Sequence, residues 1–191
     1  MDRIKVVCLG DSITYGWPWG PDVSWTAMLA EQLDGEVINR GIPGNTTTQM
    51  LDRFEKAVLK LHPSHVIIMG GLNDVALQDS FDRITWNLRC MAEIARENDI
   101  KVVFGQPTVF DEPDLERLVL RIRKWINNYA QEHRIPVIHF DQAFYDENNN
   151  ILTDLLAADG AHPTKAGYQA MFDCIDLKVL EECQGEAHCS E

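Results

Sequence analysis

Val7-Cys8-Leu9-Gly10-Asp11-Ser12-Ile13-Thr14 is the stretch whose reading decides both the fold and the chemistry of this chain. It closes an apolar run, Ile4 to Leu9, with the length and composition of a strand buried on both faces of a parallel sheet. Gly10 stops the run, and a polar serine follows two residues later. A strand that ends in a tight turn presents its next side chains at the carboxyl edge of the sheet, where open α/β folds bind ligands. Ser12 is therefore placed to be held rigidly while facing solvent, as a nucleophile must be. Asp11 and Ser12 are equally good residue types for capping a following helix. The octet alone leaves both readings open.

Outward from this stretch the chain alternates regularly. Glu36 to Asn39 forms a second short strand, ended by Gly41-Ile42-Pro43-Gly44. Val66 to Met69 forms a third, closed by Gly70-Gly71; Val102 to Phe104 a fourth, stopped near Pro107; Val137 to Phe140 a fifth. Helical periodicity fills the gaps. Ser24 caps a helix through Leu33, and Met50, Leu51, Phe54, Ala57, Val58 and Leu61 fall on one helical face that ends at Pro63. Phe81, Ile84, Leu88, Met91 and Ala95 mark a second such face, and Leu115, Leu118, Ile122, Ile126 and Tyr129 a third. After Pro163 a last helix turns Tyr168, Met171 and Ile175 inward.

Short apolar strands alternating with amphipathic helices imply a parallel sheet covered on both faces. With right-handed crossovers, the expectation is an α/β chain with a three-layer α/β/α flavodoxin-like fold and a five-stranded parallel sheet in the order 2-1-3-4-5. In that order the first and third strands are neighbours at the switch point. Ser12 and the residues after Met69 then share one crevice. No repeat or linker interrupts the 191 residues, which read as a single domain, 1–191, with about 184–191 as a loose tail.

Thirty acidic residues against seventeen basic ones give a formal charge of -13. That field disfavours nucleic acid and anionic membrane surfaces as partners. No apolar run approaches the roughly 20 residues that span a bilayer, so stable membrane insertion is not expected. Nothing near Arg3 and Lys5 resembles a secretion signal. An odd count of five cysteines then reads as reduced thiols in a cytoplasmic protein. Cys183, His188 and Cys189 lack the second ligand pair that a metal site needs, and read as part of the tail.

The chemistry lies just beyond the strand ends. Ser12 follows the first strand, Gly41 the second, Gly71-Leu72-Asn73-Asp74 the third, and Asp159-Gly160-Ala161-His162-Pro163 comes late in the chain. Acyl transfer by serine needs a base, an acid that holds the base in the right tautomer, and preorganised donors for the oxyanion. His162 suits the base, since an imidazole titrates near neutral pH and can return the proton. Asp159, three residues earlier with Gly160 between, can reach its far ring nitrogen. Gly41 offers an unobstructed amide, Asn73 a side-chain amide and Ser12 its own N–H. Each piece has a plainer reading as a turn or a cap, but all of them at one sheet edge favour the joint reading. His62, His65, His133 and His139 join no such pattern and read as structural or exposed.

These residues resemble the SGNH-hydrolase, or GDSL-esterase, superfamily over nearly the full length. Gly10-Asp11-Ser12-Ile13-Thr14 is similar to its first block and Asn39-Arg40-Gly41-Ile42-Pro43-Gly44-Asn45-Thr46-Thr47 to its second. Gly71-Leu72-Asn73-Asp74 is similar to the third, and Asp159-Gly160-Ala161-His162-Pro163 with Gly167-Tyr168 to the last. Ile13 replaces the leucine of the family's name, and Pro43 stands where serine is frequent. The resemblance implies Ser12 as nucleophile, His162 as base, Asp159 as its partner, and Ser12, Gly41 and Asn73 as the oxyanion hole. It implies no metal or organic cofactor.

The expected activity is a carboxylic-ester or thioester hydrolase that removes short-to-medium acyl or acetyl groups through an acyl-enzyme. Its partner is a small-molecule ester or thioester. Asp11, Trp17, Trp19, Val75, Val109 and Phe110 are the expected substrate-pocket residues, on the loops that follow the strands. A flavodoxin-like binding or electron-transfer module is the alternative of a different class, but it leaves His162, Asn73 and Gly41 without purpose. A long-chain acyl-CoA thioesterase or lysophospholipase is the alternative within the class, disfavoured for CoA esters by the acidic charge. The sequence carries no signal for oligomeric state.

Overall fold

In the computed structural model of the chain, which describes residues 3–181, five strands pair in parallel. They are β1 (Ile4–Gly10), β2 (Gly35–Gly41), β3 (His65–Ile68), β4 (Lys101–Gly105) and β5 (Val137–Ile138), ordered β2-β1-β3-β4-β5. Val6, Val7, Cys8 and Leu9 are all fully buried, which explains why β1 is a continuous apolar run rather than an alternating one. Leu9 lies opposite both Arg40 of β2 and Ile68 of β3, and Gly10 opposite Gly41. The carboxyl ends of these neighbours thus finish level with one another. Cys183, His188, Cys189 and the 184–191 segment lie outside the described residues.

Helices cover both faces. α1 (Ser12–Tyr15) is a single turn directly after β1, and α2 (Trp25–Gln32) crosses over to β2. α3 (Thr47–Asp52) and α4 (Phe54–Ala57) precede β3; α5 (Leu72–Ala76) and α6 (Phe81–Glu97) follow it. α7 (Pro113–His133) joins β4 to β5, and α8 (Lys165–Asp173) and α9 (Lys178–Glu181) complete the described chain. α2 packs on α8, while α3 packs on α6 and α6 on α7, giving the three expected layers.

Three local readings are corrected. The segment from Met50 to Leu61 is not one helix but α3, α4 and a 3-10 turn at Leu59–Leu61. Arg53 breaks it at φ -101°, ψ 5°, because its guanidinium is drawn away to Asn45 Oδ1 at 2.7 Å and to the Gly10 carbonyl at 2.8 Å. Met50, Phe54, Ala57 and Val58 stay buried, so the apolar stripe survives the break. On α7 the buried face carries Val119, Ile122 and Ile126, whereas Leu118 is 40% exposed. Strand β5 stops at Ile138, and Phe140, fully buried, begins a 3-10 turn. There its ring meets Trp25 of α2 at 4.8 Å between centroids.

Candidate active site

At the end of β1 the backbone turns at once into α1. Asp11 is the cap residue: its Oδ1 accepts the Ile13 N–H at 2.9 Å, satisfying one of the donors that a helix start leaves orphaned. Gly16, at φ +104°, ends the turn. Gly41 lets the turn settle onto β2, since a Cβ there would lie 2.2 Å from Tyr15 N. Ser12 is held between these constraints and is only 6% exposed.

The late loop delivers its partners from 150 positions away. Ser12 Oγ lies 2.8 Å from His162 Nε2, and His162 Nδ1 lies 2.7 Å from Asp159 Oδ2. Facing a carboxylate, Nδ1 is the ring atom that carries the proton, which leaves Nε2 to accept from the serine hydroxyl. Asp159 Oδ1 accepts the N–H groups of Ala161 and His162, both at 3.0 Å. Partial burial pushes the Asp159 carboxyl up, but those amide bonds and the imidazole outweigh it and hold it below the usual carboxylate range. Gly160, at φ +69°, is the residue that can make so tight a reversal.

α5 brings the third element. Asn73 Nδ2 donates to the Asn45 carbonyl at 3.0 Å and Asn73 faces the same cavity as Ser12 and His162. Its neighbour Asp74, fully buried, accepts from Thr47 N at 2.9 and 3.0 Å and from the Thr47 hydroxyl. Asn87 of α6 donates to Thr47 and Thr48. Helices α3, α5 and α6 are thereby fixed to one another beneath the site.

Of the residues expected at the oxyanion, Gly41 is not free to serve. Its N–H donates to Asn39 Oδ1 at 2.9 Å, while Asn39 Nδ2 donates to the Thr14 carbonyl and to Thr26. A glycine amide that is free among the described residues lies three residues beyond Gly41, at Gly44, which the sequence reading did not single out. Asn45 N donates to the Ile42 carbonyl at 3.1 Å, with Pro43 and Gly44 (φ +81°) between them, which is a type II turn. Such a turn leaves the amide of its third residue outside the ring of bonds, and Gly44 N–H meets no acceptor among the described residues. The Pro43-Gly44 pair was the available signal.

The cavity beside Ser12 measures about 200 Å³. Ile13, Leu72, Ala76, Phe110 and Ala161 supply its apolar wall; Asp11 and Phe110 line it as expected. Burial pushes the Asp11 carboxyl up to about 6, against the Ile13 N–H and His162. The other expected pocket residues lie elsewhere. Val75 sits on the far side of α5, lining a separate cavity with Phe81 and Leu118, because two residues along a helix from Asn73 turn a side chain about 200° around its axis. Val109 is fully buried in the core. Trp17 and Trp19, about half exposed, strap the late segment instead. The Trp17 carbonyl accepts from the Tyr168 hydroxyl at 2.8 Å, and Trp19 Nε1 donates to the Pro163 carbonyl at 3.2 Å. No group of three or more His, Cys, Asp or Glu among the described residues is arranged to hold a metal ion, and none of their helices is long and apolar enough to cross a membrane.

Comparison with known proteins converges on one family. The profile of the GDSL-like lipase/acylhydrolase family matches residues 8–170. A solved structure assigned to the G-D-S-L family of lipolytic proteins, from Desulfitobacterium hafniense DCB-2, superposes with a TM-score of 0.83 at 30% identity, covering 90% of this chain and 97% of that one. The uncharacterized lipoprotein YqeF of Bacillus subtilis (strain 168) is 27% identical over 218 residues, 92% of this chain and 90% of the relative. An arylesterase of Vibrio mimicus is 32% identical over 107 residues, 53% of this chain and 54% of the relative.

Proposed function

The chain belongs to the GDSL-like lipase/acylhydrolase family, and from that premise we propose that it is a serine esterase of short acyl groups working through an acyl-enzyme. The observation that carries the proposal is the unbroken relay from Ser12 Oγ through His162 to Asp159, at 2.8 and 2.7 Å. His162 Nε2 takes the hydroxyl proton as Oγ attacks the ester carbonyl, and the C–O π electrons move to the oxygen. The donors proposed for that oxyanion are the Asn73 side-chain amide and the backbone N–H groups of Ser12 and Gly44. His162 then returns the proton to the departing alcohol, and a water repeats the sequence on the acyl-enzyme. Asp159 stays ionised and holds the ring.

The acyl part is short because the cavity is small. About 200 Å³ bounded by Leu72, Ala76 and Phe110 lies below the usual range for ligand pockets, which suits an acetyl to butyryl group with the alcohol outside. A cytoplasmic location belongs to the same proposal and rests on the sequence alone; cell fractionation tests it. The function itself is tested with p-nitrophenyl acetate, butyrate and octanoate. Activity is expected to fall with chain length, and Ser12→Ala is expected to lose at least about 10⁴-fold in kcat. An alanine variant that kept wild-type turnover, or a profile that peaked on octanoate, would contradict the nucleophile or the acyl length respectively.

A further inference from the structure

Two residues outside the relay, Glu116 and Arg123, form an ion pair inside the protein. Their side chains are 9% and 4% exposed, and both stand on the inner face of α7, seven positions apart. Arg123 Nη1 donates to Glu116 Oε1 at 2.6 Å and to the Tyr145 hydroxyl at 3.2 Å. The Tyr145 O–H in turn donates to Glu116 Oε1. Burying two charges is costly, and apolar residues of the same volume often replace such a pair with no loss of stability. The distinctive property of this pair is what else it grips.

Apart from the Asp141 carboxylate, 4.0 Å from Arg123 Nε, its remaining side-chain bonds go to one backbone segment. Arg123 Nε donates to the Pro107 carbonyl at 2.9 Å, and Nη2 donates to the Thr108 carbonyl. Glu116 Oε2 accepts the Phe110 N–H at 2.8 Å. The planar guanidinium fork fixes two carbonyls at once, which a lysine ammonium cannot do in the same way. The next residue, Asp111, donates its N–H to the Gly160 carbonyl at 2.7 Å, and Gly160 lies between Asp159 and His162. Phe110 itself walls the cavity. Thus a buried ion pair on α7 holds the 107–111 segment, and that segment holds the loop that carries the acid and the base.

We propose that Glu116 and Arg123, with Tyr145, are positioning residues that set where Asp159 and His162 stand relative to Ser12. The inference rests on the serine-esterase reading above. It predicts a defect in the chemical step at every site rather than a smaller number of working sites, because a small displacement of a catalytic group costs rate steeply.

The test is p-nitrophenyl acetate hydrolysis together with active-site titration by a fluorophosphonate, on wild type, Glu116→Gln, Tyr145→Phe and Ser12→Ala. In Glu116→Gln, kcat per labelled site is expected to drop about tenfold or more, with KM within about twofold and one label per chain. Tyr145→Phe, which removes one hydroxyl and keeps the ring, is expected to drop about threefold in the same way. A labelled fraction that falls while kcat per labelled site stays at the wild-type value would show a structural role only and overturn the inference. Should Glu116→Gln fail to fold, Tyr145→Phe decides on the same readout, an unchanged kcat per labelled site overturning the proposal. Hydrolysis or labelling that persists in Ser12→Ala would instead overturn the esterase reading itself, so the two failures are distinguishable.

Discussion

Asn73 and Gly41 show how differently two residues at one sheet edge can act. Asn73 faces the cavity with its amide anchored, among the described residues, only by the Asn45 carbonyl, so Asn73→Ala removes a donor without collapsing packing. The expected cost is about 100- to 1,000-fold in kcat with little change in KM, read from steady-state kinetics. Gly41 is a packing residue whose amide is already bonded to Asn39. Asp11 offers a second prediction at this scale. Its carboxyl, ordinarily at 3.8, is raised to about 6 by burial, so the folded protein binds the proton more tightly than the unfolded chain. Its contribution to stability is then fully present below 3.8 and is lost as pH rises through 6. Asp11→Asn keeps an N-cap acceptor and is expected to melt higher than wild type at pH 7, the difference vanishing below pH 3.8. Melting curves at the two pH values check it; equal midpoints at pH 7 would contradict it.

The central strands β1, β3 and β4 were plainly legible in the sequence, since runs such as Val6 to Leu9 and Val66 to Met69 carry no polar interruption, whereas the end of β5 was not. The helices were legible only where periodicity alone decides. Phe81, Ile84, Leu88 and Met91 kept their register on α6, but the Met50 to Leu61 face hides a break at Arg53 that exists because the guanidinium bonds to Gly10 and Asn45. No local pattern encodes a bond across 43 positions. β3 carries the prediction for this scale. His65 is 3% exposed, its Nδ1 against the Ser64 hydroxyl. Burial first, and Lys101 second, lower its titration from 6.5 to about 4. The neutral ring is what the folded sheet accommodates, so its contribution is fully present above 6.5 and is lost as pH falls through about 4. The melting temperature of wild type is expected to decline over that window more steeply than that of His65→Gln. Parallel curves would show that the ring does not titrate with unfolding.

At the scale of the whole molecule, the site depends on closure between the first strand and a loop near the other end of the chain. Ser12, Asp159 and His162 could be picked out in the sequence because each sits at a glycine-marked turn beyond an apolar run. Which glycine amide is free could not, because Gly41 and Gly44 differ only in the partners the folded backbone gives them. The pocket was the least legible part. Val75 and Trp19 occur on the right loops, but a half-turn of α5 and the bond from Trp19 to the Pro163 carbonyl direct them away from the cavity. The ion pair on α7 was hidden for a related reason: Glu116 and Arg123 look like surface residues of an amphipathic helix until the 107–111 segment packs against them. Closure across 150 positions is measured most directly by trapping the acyl-enzyme: rapid quench of the wild-type protein with p-nitrophenyl acetate, followed by peptide mass mapping. A single acetyl group on Ser12, absent in Ser12→Ala and formed far more slowly in His162→Ala, is the predicted result; acetylation at another residue, or none during turnover, would contradict it.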